Sequence, residues 1–178
     1  VVEPGSTQAH LQKLQYFVGS WKFSGIDLNQ EVSGTMTFQW DLNRNILLHK
    51  IHVIPVDEDK DPITVMYVIL WDAKNERFLE RGYGGYGGYG QAEWTKTEQG
   101  WRRQGIGSWV LWNGQEVTVN AFFTINNRDE FVLRGTVDKQ NEGPFKTDLK
   151  VTRLSGQPGG AKAPWRWLLG HWKQKNSD

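Results

Sequence analysis

Residues 116–154 read EVTVNAFFTINNRDEFVLRGTVDKQNEGPFKTDLKVTRL, and this stretch decides the fold class. Val117, Val119, Ala121, Phe123 and Ile125 share one face of a strand predicted over Glu116–Asn126. Phe131, Leu133, Gly135 and Val137 do the same over Asp129–Asp138. Over Phe145–Leu154 the row Phe145, Thr147, Leu149, Val151 opposes Lys146, Asp148, Lys150 and Thr152. A period of two is the signature of a strand with one dry and one wet face. Long consecutive strands of this kind favour an up-and-down antiparallel barrel, which leaves no open sheet edge.

Upstream the same period recurs. Trp21–Ser24 alternates, and Val32, Gly34, Met36, Phe38 and Trp40 oppose Ser33, Thr35, Thr37 and Gln39. Further strands are predicted at Ile46–Pro55, Ile63–Asp72, Arg77–Tyr83, Ala92–Thr97, Trp101–Ile106 and Trp109–Trp112. Asn113-Gly114 is a strong hairpin signal. That makes about ten strands, spaced as in a sandwich or barrel. Ahead of them Ser6 or Thr7 caps a short helix, with Leu11, Leu14, Gln15 and Val18 at helical spacing and Gly19 as its stop. The expectation is therefore an all-β, up-and-down barrel over residues 8–154, followed by a linker at 155–163. A C-terminal amphipathic helix is expected at 164–175, where Pro164 suits a first turn and Trp165, Leu168, Leu169 and Trp172 form a stripe. This helix is expected to pack on the barrel wall; a membrane surface or partner protein met through Trp165–Trp172 is the minority alternative.

Composition narrows the chemistry. The chain has 178 residues and no cysteine, so disulfides, thiolate nucleophiles and Cys-ligated metals are excluded. Lys and Arg number 21 against 20 Asp and Glu, with no basic face before the C-terminal stretch, which argues against nucleic acid as partner. No apolar run approaches the roughly 20 residues of a membrane span. Of the four histidines, only His49 and His52 are close in sequence, and alternation sends them to opposite faces, so no metal site is expected. Ten tryptophans suit an interior that holds an aromatic or hydrophobic molecule; equally, they suit a small barrel that needs bulky fillers.

Residues 11–25, LQKLQYFVGSWKFSG, resemble the opening of a group of small bacterial lipocalin-like (calycin) proteins, mostly of unknown function. GTMTFQWDLNRNILLHKIHVI is similar to their second hairpin, and VMYVILWDAKNERFLERGYGG to their fourth and fifth strands. The resemblance implies that Trp21 of the Gly-x-Trp step closes one barrel end beneath Arg153, and strand parity independently turns Arg153 inward. More distantly, the opening resembles the haem-binding nitrobindin family. Its ligand histidine has no counterpart in PFKTDLKVTRL, so haem is not carried over, and no cofactor is expected.

Candidate site residues follow from the rows expected to face inward. Leu47, His49, Ile51 and Val53 form the more apolar row of their strand, so His49 is expected inside. Ile63–Asp72 is apolar on both faces, with Val65, Tyr67, Ile69 and Trp71 against Met66, Val68 and Leu70, so its inner row stays open. Tyr67 and Trp71 are favoured because a phenol and an indole offer a ligand both surface and a hydrogen bond. The expected ligand wall is Phe38, Trp40, His49, Tyr67, Trp71, Phe123 and Leu133. His49 with Tyr67 is the candidate catalytic acid–base pair. For His49 the plainer reading is a core histidine bonded to a neighbouring backbone or hydroxyl group. Glu80 or Arg81, and Arg103, are placed within reach of the cavity, although such residues more often form solvated ion pairs. The tract GYGGYGGYG at 82–90 is either an aromatic lid or a plain hairpin connection. Two functions remain open: a binder of a small apolar or aromatic molecule, or a cofactor-free isomerase, cyclase or lyase on the same barrel. Monomer and homodimer, and bacterial cytoplasm, periplasm and secretion, all remain open.

Overall fold

The computed structural model describes residue 3 and residues 5–57, 59–111, 113–139 and 143–154. The expected linker, the helix at 164–175, the stripe Trp165–Trp172 and Trp112 lie outside the described residues. After a short helix α1 (Thr7–Leu11) the strands are β1 (Gly19–Asp27), β2 (Gln30–Asp41), β3 (Ile46–Pro55), β4 (Ile63–Asp72), β5 (Arg77–Gly84) and β6 (Tyr89–Thr97). They continue as β7 (Gly100–Gly105), β8 (Trp109–Val110), β9 (Glu116–Asn127), β10 (Glu130–Lys139) and β11 (Gly143–Arg153). Every pairing is antiparallel. Ten strands close a ring in chain order, with β11 returning to β1, while the two-residue β8 bridges β6 and β9 beyond the end of β7.

The expected inward rows are the observed ones. Trp21, Phe23, Val32, Met36, Phe38, Leu47, Phe123, Phe131, Leu149 and Val151 are buried, while Lys22, Ser33, Lys50, Phe122 and Lys150 are exposed. The N-terminal segment departs from expectation in its period. Ser6 Oγ accepts the Ala9 N–H at 3.3 Å and caps α1, but from Gln12 to Phe17 the chain tightens into a 3-10 turn. With three residues per turn the buried stripe is Leu11, Leu14 and Phe17, and Gln15 is not on it. Phe17 enters the barrel end, its ring centroid 5.2–5.7 Å from those of Phe38, Trp94, Phe123 and Phe131.

Arg153 locks this plug. Its guanidinium lies 3.9 Å from the Trp21 ring centroid and donates to the carbonyls of Val18 and Tyr16, both at 2.9 Å. Its Nε sits 3.2 Å from Asp129, and the Trp21 indole N–H donates to the Phe17 carbonyl at 2.7 Å. Gly19 is required here. Its φ is +130°, and a Cβ would lie 2.8 Å from an Arg153 nitrogen.

The barrel is thus plugged by an aromatic cluster at one end, and its inward row is less completely buried toward the other. Around Phe17 the inward side chains are buried, with Trp40, Trp71 and Ile125 half-buried at the same end. Toward the far rim Val32 and Val117 are buried, but Asp27, Ile51, Val53, Val65, Val119, Val137, Phe145 and Thr147 are only half-buried although they too point inward.

Trp21→Ala is expected to cost about 3–5 kcal/mol, as for other large-to-small core changes. Arg153→Ala should cost less, and the double variant should depart from additivity by at least ~0.5 kcal/mol because the groups touch. Urea denaturation of the four proteins measures this, and additive losses would contradict a stacked pair.

Candidate binding site

One row crosses the barrel wall between the plug and the far rim. Phe38 on β2 faces His49 on β3, His49 faces Tyr67 on β4, and Tyr67 faces Gly82 on β5, which faces Gly90 on β6. The His49 ring stacks on Phe38 (centroids 3.8 Å, planes 9° apart) and on Tyr67 (5.1 Å, 25°). The two glycines leave room that Trp109 fills: a Cβ at Gly82 would run into the indole and the Tyr67 ring, and one at Gly90 into the indole. Trp109 is fixed there by its N–H, which donates to the Gln91 carbonyl at 3.2 Å.

Beside this row lies a buried ion pair. Arg103 on β7 donates through Nε to Glu80 Oε1 at 2.7 Å, with Nη2 2.6 Å from the same oxygen. Glu80 Oε2 accepts the Trp94 indole N–H at 2.8 Å. Glu80 is 0% exposed and Arg103 7%, and the guanidinium lies 5.0 Å from the Tyr67 ring centroid and 5.2 Å from that of Trp109. The charges cancel locally, and removing either partner would leave the other buried and unpaired.

His49 is 2% exposed, and among the described residues neither ring nitrogen has a hydrogen-bond partner. Burial, reinforced by nearby Arg103, holds its pKa well below the ordinary value, so the imidazole is neutral. It therefore presents one unused donor and one unused acceptor in mid-barrel. Among the described residues no backbone or hydroxyl group makes the bond that the plainer reading of a core histidine requires. Burial also pushes the Tyr67 phenol up to about 12, against the lowering effect of Arg103. Nearer the rim, burial raises the Asp27 pKa despite the Thr147 hydroxyl, which donates to its carboxylate at 2.6 Å.

Of the expected wall, Phe38, His49 and Tyr67 come together. Phe123 packs against Trp94 (4.5 Å) in the plug's aromatic cluster, and Leu133 is buried between Phe123 and Leu149 in the register. Trp40 and Trp71 sit at the plugged end: the Trp40 N–H donates to Gln15 at 3.1 Å, and Trp71 stacks on His10 at 3.8 Å. Glu80 and Arg103 are a buried pair and not a solvated one, whereas Arg81 is exposed. Trp94 and Trp109 were not among the expected site residues. Trp94 was legible as the inward partner of Ala92 two residues earlier; the signal for Trp109 was the pair of glycines that make room for it. In the 82–90 tract, Tyr83 and Tyr89 point outward as a cross-strand pair, so these two rings do not cover the interior. Among the described residues no group of three His, Cys, Asp or Glu is placed to hold a metal ion, and no helix is long and apolar enough to cross a membrane.

The neutral imidazole couples stability to pH. Below an ordinary histidine value of about 6.5 the unfolded chain binds a proton that the folded chain refuses, so stability is full above that pH and falls as pH drops beneath it. His49→Phe removes both unpaired nitrogens and should raise stability at pH 7.5 by about 1–3 kcal/mol. It should also flatten the loss between pH 7.5 and 5. Urea denaturation at both pH values checks this, and identical slopes in the two proteins would refute it.

No family model matches the chain, and no curated protein matches it. Among solved structures it is similar to a redesigned β-barrel, with 16% sequence identity, a TM-score of 0.41, and coverage of 85% of this chain and 99% of that one.

Proposed function

We propose that the chain binds a small, largely apolar molecule in the open half of the barrel. The observation that carries this reading is the uneven burial of one continuous inward surface, dry around Phe17 and half-exposed at Ile51, Val53 and Val65. The unpartnered imidazole of His49 lies at that boundary, where a ligand's hydroxyl, amide or carboxyl group would satisfy it. A lipocalin-like ancestry agrees with this use of the barrel. Its support is the short N-terminal helix, the Gly-x-Trp step and the Arg153 guanidinium over Trp21. The second reading is a cofactor-free isomerase, cyclase or lyase. It is favoured by one fact, that His49 is held neutral as a general base requires.

The fluorescent probe N-phenyl-1-naphthylamine should bind saturably. Val65→Trp, which fills the open half, should abolish binding, while Trp40→Ala at the plugged end should leave it unchanged. Adding a hydroxyl to an apolar probe should improve affinity by about 0.5–1.5 kcal/mol, a gain that His49→Phe removes. If a Val65→Trp protein with native circular dichroism binds the probe as tightly as the parent, the molecule does not sit in the barrel. The enzyme reading requires His49→Gln to cut turnover by ~10²-fold or more while affinity is kept.

A further inference from the structure

The 82–90 tract builds a second concavity, outside the barrel and independent of the one just described. Tyr83 and Tyr89 face each other across β5 and β6, and two residues along each strand the same outer face carries Arg81 opposite Gln91. The segment Ile106–Ser108 closes the side, tied down by the Ile106 N–H, which donates to the Gln91 carbonyl at 2.9 Å. These residues line a groove of about 510 Å³, and Gly82 and Gly90 add bare backbone to its lining. That volume lies within the usual range of small-molecule sites, roughly 300–1,000 Å³.

Its chemistry is specific. Tyr83 and Tyr89 are 49% and 56% exposed, and strand pairing fixes their backbones side by side, so both rings leave the same outer face and are available for stacking. Arg81 carries the sole charge in the lining, and no described carboxylate pairs with it. Two rings, an amide and one uncommitted guanidinium select a flat ring that carries a negative group. We infer that this outer groove binds an aromatic or heteroaromatic anion, its ring stacked on Tyr83 or Tyr89 and its carboxylate or phosphate paired with Arg81. Inside the barrel, Arg103 is already neutralised by Glu80, and Arg153 at the plugged end is committed to Asp129 and two carbonyls, so neither described arginine is free for such a group.

The test is amide chemical-shift titration of the ¹⁵N-labelled full chain with 1-naphthoate, 1-naphthyl phosphate and neutral 1-naphthylmethanol. Saturable shifts are expected at Gly82, Tyr83, Tyr89, Gly90 and Gln91. The anions should bind about three- to tenfold more tightly than the alcohol, and added salt should erode that advantage. The tighter of the two anions shows whether carboxylate or phosphate is preferred. Arg81→Gln should erase the anion advantage and leave alcohol binding unchanged, whereas Tyr83→Ser with Tyr89→Ser should weaken all three ligands. Both variants alter exposed side chains, and native shift dispersion verifies the fold. Shifts confined to His49, Tyr67 and their inward neighbours would place the ligands in the barrel and overturn the groove. So would an anion advantage that survives Arg81→Gln, or the absence of saturation. Val65→Trp, which blocks the barrel, is expected to leave the naphthoate shifts in the groove unchanged, so the two sites succeed or fail separately.

Discussion

The contact between Arg153 and Trp21 is the constraint on which the rest of the barrel depends. One guanidinium stacks on the indole, satisfies two carbonyls at the end of the 3-10 turn and meets Asp129. The turn can enter the barrel because those carbonyls are answered there; left unpaired in a dry interior, each would cost as much as a lost hydrogen bond. With the turn held, Phe17 reaches four further rings, and one end of the barrel becomes a solid aromatic core.

That solid end sets the electrostatics of the middle. Glu80 and Arg103 attract strongly because water is kept from them, and for the same reason an unpaired group beside them is expensive. His49 is such a group, clamped flat between Phe38 and Tyr67 with both nitrogens idle. A residue selected for stability alone would be apolar at this position. Its stacking fixes the directions of its donor and acceptor in advance, so a ligand would find them already oriented.

Alternation made the inward rows of β2, β3, β9, β10 and β11 legible, because each of these strands has one face toward water. On β4, apolar on both faces, alternation left the inner row open, and Tyr67 and Trp71 stood out only by the chemistry of their rings. What alternation cannot supply is height along the barrel. Trp40 and Trp71 face the right way but lie beside the plug, and this follows only from the register that sets β2 and β4 antiparallel to their neighbours. The Glu80–Arg103 pair was invisible for a related reason: its partners lie 23 residues apart on strands separated by β6. The 3-10 turn escaped a search at 3.6 residues per turn, since Leu11, Leu14 and Phe17 repeat every three.

Ring closure also orders events in time. Each strand from β2 onward finds a neighbour shortly after it is made, but β1 keeps one edge unpaired until β11 exists, more than a hundred residues later. An open β1 is a template for another chain, and its exposure during synthesis is the hazard of this topology. Arg153 stands at the end of the strand that removes the hazard and is also the residue that locks Trp21. Sealing the edge and seating the plug are therefore one event, and a nascent barrel with a settled core is one whose last edge has already been covered.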